Sequence, residues 1–248
     1  MKQLGLLFIL IIIITVQPVR GCLNYYHTID QDGDFHEMTE NGFIGFNKNF
    51  NYKLIASKLP DLEADFQNKK SPYLLSDYAV LLMKAGKIEA SLALLIELNR
   101  NLPNEYQIAA NLGTAYELNG ELDSAIHYIN RGMELNPEAH EGSEWVHIKV
   151  LECKLKQIEN PNYLNNTSVL ELTAEQKANY KTRHQLEIQI RERFPFTPGP
   201  NQIMASLMID LGDCYASDLS IEYAKAFYTI AAEYYGAETE ITSPKISK

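Results

Sequence analysis

Beyond residue 70, apolar residues recur at a helical period. In residues 143–159 they fall three or four positions apart, at Trp145, Ile148, Leu151, Leu155 and Ile158. This spacing places them on one face of a helix. A second helix is predicted over residues 173–194, because Thr173 and Gln176 form a capping box at its start. Within it, residues 186–190 alternate between apolar and polar, so a strand is the competing interpretation there.

The chain repeats itself with an offset of 34 residues, which aligns 72–105 with 106–139. Small residues fall on small ones, apolar on apolar and turn-formers on turn-formers. The aligned pairs include Ala79 and Gly113, Leu82 and Tyr116, Gly86 and Gly120, Ser91 and Ala125, and Pro103 and Pro137. We therefore predict two adjacent units, each a pair of helices.

The aligned residues have physical roles in such a helix pair. Small side chains at Ala79 and Gly113 allow two helices to approach closely. Gly86 and Gly120 lie just past a helix end, where a left-handed residue ends the helix at little cost. Proline after the second helix stops it.

The second unit resembles the tetratricopeptide repeat (TPR) family, whose signature spans 34 residues. Leu112, Gly113, Tyr116, Ala125 and Pro137 match the signature, whereas Ala109 and Ile129 replace its tryptophan and phenylalanine. A third, diverged unit carries Leu211, Gly212, Tyr215, Ala224 and Tyr228, with Leu219 in place of the inter-helix glycine and Gly236 in place of the proline. The residues taken as defining the repeats are Ala79, Gly86, Pro103, Leu112, Gly113, Tyr116, Gly120, Ala125, Pro137, Gly212, Tyr215 and Ala224.

This resemblance predicts an all-α fold, a TPR-type solenoid of helical hairpins with a short N-terminal β-hairpin or extended arm. The expected segments are a signal peptide (1–21), the arm (22–51), a capping helix with two TPR units (52–139), an irregular helical pair with a long loop (140–200), a diverged TPR-like hairpin (201–236) and a disordered tail (237–248).

The first residues have the features of an export signal. Lys2 precedes an almost unbroken apolar run over residues 4–16, which is short for a membrane span. Gly21 and Cys22 resemble the bacterial lipobox, which implies that Cys22 carries a lipid after cleavage. A plain cleaved signal and an uncleaved anchor remain the alternatives.

Composition narrows the possible functions. The chain is 46% apolar and 22% charged, which is typical of a globular protein, and its formal net charge is −10. No run of lysine and arginine is present, so the sequence predicts no nucleic-acid binding.

The possible metal sites are weak. Asp30, Asp32 and Asp34 resemble the start of a calcium loop, but the glycine and glutamate that such a loop needs are missing. A polar turn, with Asp32-Gly33 as a hairpin turn, explains them better. His27 and His36 could share a face of that hairpin but lack a third ligand.

His140, Glu144 and His147 could form another weak site, although exposed polar residues on a helix are the commoner explanation. The sequence contains no nucleophile elbow, no phosphate-binding loop and no zinc-protease motif. We therefore predict no catalytic residues, no metal and no cofactor. Cys153 and Cys214 lie in apolar helical patterns and are expected to be small buried hydrophobes, with a disulfide between them as the alternative.

In TPR proteins the first helix of each hairpin lines a concave groove. The resemblance therefore implies a partner-binding groove with these exposed residues: Tyr73, Ser76, Val80, Met83, Lys84, Gln107, Ala110, Asn111, Thr114, Glu117 and Leu118. Only Lys84 and Asn111 suit a clamp for a peptide carboxylate, so an extended or helical protein segment is the expected ligand. Alternatively, some of these residues pack against the irregular helices.

Together these features predict a non-catalytic scaffold or adaptor. It would be exported, tethered to a bacterial envelope membrane through Cys22 and face the periplasm. One alternative is a metal-dependent accessory protein or enzyme that uses the N-terminal arm. Another is a self-assembling homo-oligomer, joined through Tyr223, Tyr228, Tyr234 and Tyr235.

Overall fold

The computed structural model describes residues 27–29, 35–37, 60 and 71–247. The described part contains two short strands and ten α-helices. The strands are β1 (His27–Ile29) and β2 (Phe35–Glu37). The helices are α1 (Pro72–Lys84), α2 (Ile88–Asn101), α3 (Tyr106–Leu118), α4 (Leu122–Leu135), α5 (Glu144–Glu159), α6 (Ala174–Lys177), α7 (Tyr180–Arg193), α8 (Gln202–Asp218), α9 (Ile221–Glu233) and α10 (Thr239–Ile246).

The two strands pair antiparallel, with His27 opposite Glu37 and Thr28 opposite His36. The two histidines are therefore offset by one position, and this register does not place them on the same face of the hairpin. The connection between Ile29 and Phe35 is also longer than a two-residue turn. The structure does not describe several predicted features: the signal segment, the lipidated Cys22, the turn at Asp30 to Asp34, and the rest of the arm and capping helix apart from residue 60.

Neighbouring helices pack in pairs: α1 with α2, α3 with α4, and α8 with α9. Gly86 lies in the turn between α1 and α2, and Gly120 lies in the turn between α3 and α4. Their φ values are +75° and +84°. The prediction of left-handed residues at these two turns is confirmed. In the α8–α9 turn, Leu219 has φ −133°, so this hairpin turns with a different backbone conformation.

The small residues do allow close helix contacts. A Cβ added to Gly113 would lie 2.7 Å from Ile129 Cδ1 on α4, and one added to Gly212 would lie 2.4 Å from the Tyr228 ring on α9. In the first hairpin, Ser91 Oγ donates a 2.7 Å hydrogen bond to the Ala79 carbonyl. The repeat positions therefore mark the places where the two helices of a hairpin touch.

Helix α5 joins two halves of the described fold. Leu151 packs in the apolar cluster that contains Ala125 and Ile129 of α4. Val146 and Val150 pack instead in the largest cluster, which is formed mainly by α7, α8 and α9. One helix therefore contributes apolar side chains to both halves.

One predicted boundary was wrong, and the competing strand interpretation was wrong as well. The helix expected over 173–194 is two helices, because the chain leaves the helix at Ala178 and Asn179 caps α7 by accepting a hydrogen bond from Lys181 N. The strand-like alternation at 186–190 lies within α7, where Leu186, Ile188 and Ile190 are all buried.

The segment predicted as a disordered tail contains α10. Lys245 pairs with Asp213 of α8 and lies over the Tyr228 ring, 5.1 Å from its centroid. Thr242 is buried. Contacts with α8 and α9 therefore hold this helix, and no apolar period in the sequence indicated them. Within the described residues, no helix combines the length and the apolarity that crossing a bilayer requires.

Candidate functional site

Most of the predicted groove residues are buried. The expectation of exposure holds for Tyr73, which is 47% exposed, and in part for Gln107 and Leu118. It is wrong for these eight: Ser76, Val80, Met83, Lys84, Ala110, Asn111, Thr114 and Glu117. The alternative, that some of them pack against the irregular helices, describes this part of the molecule better.

The chain itself covers the face of α1 and α3. The turn at Phe194–Phe196 follows α7 and packs against α1, and Phe196 joins the apolar cluster of the first hairpins. Within this face, Asn111 Nδ2 donates to Ser76 Oγ at 2.9 Å and Gln107 Nε2 donates to Asp77 Oδ1 at 2.8 Å. These bonds join α1 to α3 through Asp77 and through Ser76, Gln107 and Asn111, which the sequence predicts to bind a partner.

At the centre of this face lies a cluster of ionisable side chains, here called the ion cluster. It consists of Glu117, His140, Glu144, His147, Lys154 and Arg193. The Glu117 carboxylate of α3 accepts hydrogen bonds from Arg193 of α7, at 2.8 Å from Nη1 and at 3.3 Å from Nη2. Lys154 Nζ lies 2.8 Å from Glu117 Oε1, and His147 Nε2 lies 2.6 Å from Oε2. One carboxylate thus joins α3, α5 and α7.

The second carboxylate of the ion cluster lies between the two histidines. Glu144 Oε1 is 2.7 Å from His140 Nδ1, and Glu144 Oε2 is 3.6 Å from His147 Nδ1. His140 has a φ of +48°, an uncommon conformation for a histidine. The structure therefore brings together the three residues named as a weak site, but buries Glu144 and His147 instead of exposing them.

The surroundings shift the pKa values in this cluster. Burial by itself raises the pKa of Glu117, but Arg193, Lys154 and His147 outweigh it and hold the value well below 4.5. Burial likewise raises the pKa of Glu144, and hydrogen bonds from His140 and His147 reverse the effect. Burial lowers the pKa of His140, but Glu144 more than compensates, so the net shift is upward. Both carboxylates are therefore ionised at neutral pH.

Lys84 lies at the edge of the same face and is 4% exposed. Burial lowers its pKa to about 8, against the attraction of Glu192 and Asp77. The sequence predicts this lysine to be exposed in the groove, whereas it is buried and attracted by Glu192 and Asp77 of the same chain. Its charge helps to balance the acidic groups between α1 and α7.

The space left beside the ion cluster is small. One cavity, lined by residues that include Thr114, His140 and Gln189, has room for about one water molecule. His140 Nε2 is buried and has no hydrogen-bond partner in the structure. Among the described residues, no group of three or more histidine, cysteine, aspartate or glutamate side chains has an arrangement that could hold a metal ion. The contacts within the ion cluster are ion pairs and hydrogen bonds that join helices.

A second polar group lies on α8. Asp213 accepts from Lys177 Nζ at 2.7 Å and from Tyr228 Oη at 2.8 Å, and it also pairs with Lys245. Burial raises the pKa of Asp213, but these three donors outweigh it and lower the value overall. One turn earlier on the same helix, Asp210 is 2% exposed, and its Oδ2 has no hydrogen-bond partner.

Both described cysteines are buried and free, which confirms that they behave as small hydrophobes. The alternative disulfide between them is absent. Burial raises the pKa of Cys153 to about 11 and that of Cys214 to about 12. Neither thiol is therefore an activated nucleophile.

Two of the four tyrosines proposed for self-assembly, Tyr228 and Tyr235, are buried within the chain. Tyr223 is exposed and belongs to a surface that we call the turn patch. The turn patch consists of Tyr180, Leu219, Ile221 and Tyr223, which are 60%, 60%, 50% and 45% exposed. Arg183 and Tyr215 connect its two ends, since the Arg183 guanidinium lies 5.1 Å from the Tyr180 ring and 4.6 Å from the Tyr215 ring, and Tyr215 stacks on Tyr223.

Sequence reasoning missed Arg193 and Lys154 as partners of Glu117. Arg193 lies 76 positions away along the chain, and nothing local in the sequence distinguishes it from a solvated arginine at a helix end. The turn patch had a local signal, because two apolar residues flank Ser220 at a turn where polar residues are usual.

Comparison with known proteins gives no relative: no protein family, no curated protein and no solved structure matches this chain.

Proposed function

We propose that this chain is a non-catalytic protein-binding module, a TPR-like stack of helical hairpins tethered to the cell envelope of a bacterium. The tether would be a lipid on Cys22, and the module would face the periplasm. The observation that supports binding best is the turn patch, which exposes two aliphatic and two aromatic side chains. Its two tyrosines are linked through Arg183 and Tyr215. Contiguous exposed apolar surface is typical of protein interaction sites.

The turn patch is a better candidate for the binding surface than the face of α1 and α3. The latter is covered by α5, α7 and the turn after α7, and a partner would have to replace a buried ion cluster to reach it. The patch needs no rearrangement. Its aromatic rings are also held by Arg183 and Tyr215, so binding would cost little side-chain entropy.

Photo-crosslinking can test this surface in the membrane-bound protein. A photoreactive amino acid replaces Tyr223, and crosslinked products are compared with and without Leu219→Asp. We expect a discrete protein product that the aspartate abolishes. Ile158→Asp is the matched control, because Ile158 is 72% exposed on α5 and is not one of the patch residues. A product that survives Leu219→Asp would remove the turn patch as the binding surface.

The oligomeric state of the purified protein shows whether the turn patch binds a different protein or a second copy of this chain. Sedimentation of the purified protein should give a monomer. A dimer that Leu219→Asp dissociates would assign the turn patch to self-assembly instead. The lipid tether is tested separately, because incorporation of labelled palmitate should disappear in Cys22→Ala.

A further inference from the structure

Residues 166–172 connect α5 and its following turn to α6 without regular secondary structure. Three of their side chains, Val169, Leu170 and Leu172, are buried in the largest apolar cluster. The same cluster contains Met204 and Leu207 of α8. This connection therefore lies over α8 and closes one side of the core.

Few polar contacts attach this connection to α8. Val169 N donates to Ser206 Oγ at 3.0 Å. The Ser168 side chain and the Leu170 backbone form hydrogen bonds with the carboxyl group of Asp210. Glu171 has a φ of +50°, so the backbone between the buried leucines adopts an uncommon conformation. Ser206 and Asp210 are four residues apart, on the same side of α8.

Asp210 is an unusual group to find at this point. Its side chain is buried, its Oδ2 lacks a hydrogen-bond partner, and the nearest cation, Lys177, already pairs with Asp213. Lys245 also pairs with Asp213, and Tyr228 donates a hydrogen bond to it. An ionised Asp210 would therefore be buried without an ion pair of its own, which is costly.

We propose that residues 166–172 form a pH-sensitive strap, which closes over α8 when the Asp210 carboxyl is protonated and opens more readily when it is ionised. Opening would uncover the face of α8 that carries Ser206 and Asp210. It would also remove three apolar side chains from the core.

The electrostatics give the direction of the response. Burial raises the pKa of Asp210 from 3.8 to about 7, with a further increase from Asp213. Lys177 and the hydrogen bonds from Ser168 and Leu170 of the strap act in the opposite direction, but burial outweighs them. A carboxyl whose pKa is higher in the closed state binds its proton more tightly there. Closure is therefore fully favoured below about pH 4, weakens as the pH rises, and reaches its minimum above about pH 7.

The groups around Asp210 keep their charges over this range. The pKa of Asp213 is lowered overall, although burial alone would raise it, so Asp213 stays ionised. The pKa of Lys177 is raised overall, although burial alone would lower it, so Lys177 stays cationic. Burial raises the pKa of the Cys214 thiol to about 12, so it stays neutral. Asp210 is the member of this group that titrates.

Amide hydrogen exchange of the full-length protein tests the strap directly. Protection factors for peptides covering residues 166–173 are measured at about pH 5.5 and about pH 8, after correction for intrinsic exchange. We expect the wild-type protection to fall by on the order of tenfold at the higher pH. Asp210→Asn keeps a neutral side chain of the same shape, so its protection should not depend on pH.

Two controls keep the outcome unambiguous. Asp123→Asn, at an exposed position of α4, should reproduce the wild-type pH dependence. If Asp210→Asn does not fold, a ¹³C titration of the Asp210 carboxyl in the wild-type protein should show a midpoint well above that of ordinary aspartates. Wild-type protection that does not change with pH, or Asp210→Asn protection that falls as the wild type does, would overturn the proposal.

Discussion

Glu117 and Asp210 are both buried carboxylic acids on helices, but their pKa values are shifted in opposite directions. Glu117 is 5% exposed and Asp210 is 2% exposed. The pKa of Glu117 is well below 4.5, because three cationic or hydrogen-bonding partners outweigh its burial. Burial dominates for Asp210 and raises its pKa to about 7.

The difference comes from the neighbours and not from the degree of burial. Glu117 lies between α3, α5 and α7, and each of the other two helices supplies at least one positively charged side chain or histidine. Asp210 shares one lysine with Asp213, which also repels a negative charge on it. A buried carboxylate is therefore stabilising only where the fold brings enough donors to it.

Removing the charge of Glu117 should have the largest effect. Glu117→Gln leaves Arg193 buried without its carboxylate, and breaking a buried pair in this way costs about 3–5 kcal/mol. The free energy of unfolding in urea measures this loss. Arg193→Met in the Glu117→Gln background should recover part of it, because both buried charges are then gone. An unchanged unfolding midpoint for Glu117→Gln would show that the ion cluster contributes nothing to stability.

Acid should weaken the ion cluster. The pKa values of Glu117 and Glu144 are lower in the folded chain than the ordinary 4.5, so the unfolded chain binds more protons in acid. Their stabilisation is complete above about pH 4.5 and is lost progressively as the pH falls below that value. Thermal unfolding across this range should show a steeper decline for the wild type than for Glu117→Gln. Parallel curves would contradict the assignment.

Raising the pH should weaken the ion cluster at His140. Its pKa is raised overall by Glu144, although burial alone would lower it. Its stabilising charge is therefore present below the ordinary value of 6.5 and is lost as the pH rises through the folded value. An NMR titration of the imidazole should give a midpoint above 6.5 in the wild type. In Glu144→Gln the midpoint should fall.

Asp210→Asn should change stability in the opposite direction from Glu117→Gln. At about pH 8 the variant avoids a buried charge with no ion pair of its own and should gain roughly 2–4 kcal/mol, because the wild-type pKa is raised from 3.8 to about 7. The gain should shrink at about pH 5, where the wild-type side chain is protonated. Urea unfolding at both pH values makes the measurement, and a gain that is larger at the lower pH would exclude this explanation.

The smallest effect is expected at an exposed ion pair. Arg131 and Glu134 lie 3.0 Å apart on the surface of α4. Glu134→Gln should cost less than about 0.5 kcal/mol, because solvent screens this pair. A loss comparable to that of Glu117→Gln would mean that an exposed ion pair stabilises the fold as much as the buried one, so that burial does not explain the difference between them.

The sequence by itself determined the hairpins. Gly86 and Gly120 predicted left-handed turns because few other residues adopt a positive φ cheaply, and Gly113 predicted a close helix contact because a Cβ does not fit there. These are local requirements, and a 34-residue repeat makes them visible twice.

Only the tertiary structure decided which surface is covered. Glu117 and Arg193 are 76 residues apart, and Asp213 and Lys245 are 32 apart. No local pattern distinguishes these residues from solvated charges, because pairing depends on where α7 and α10 pack. The face of α1 and α3 was therefore predicted to be open, and the chain's own helices cover it.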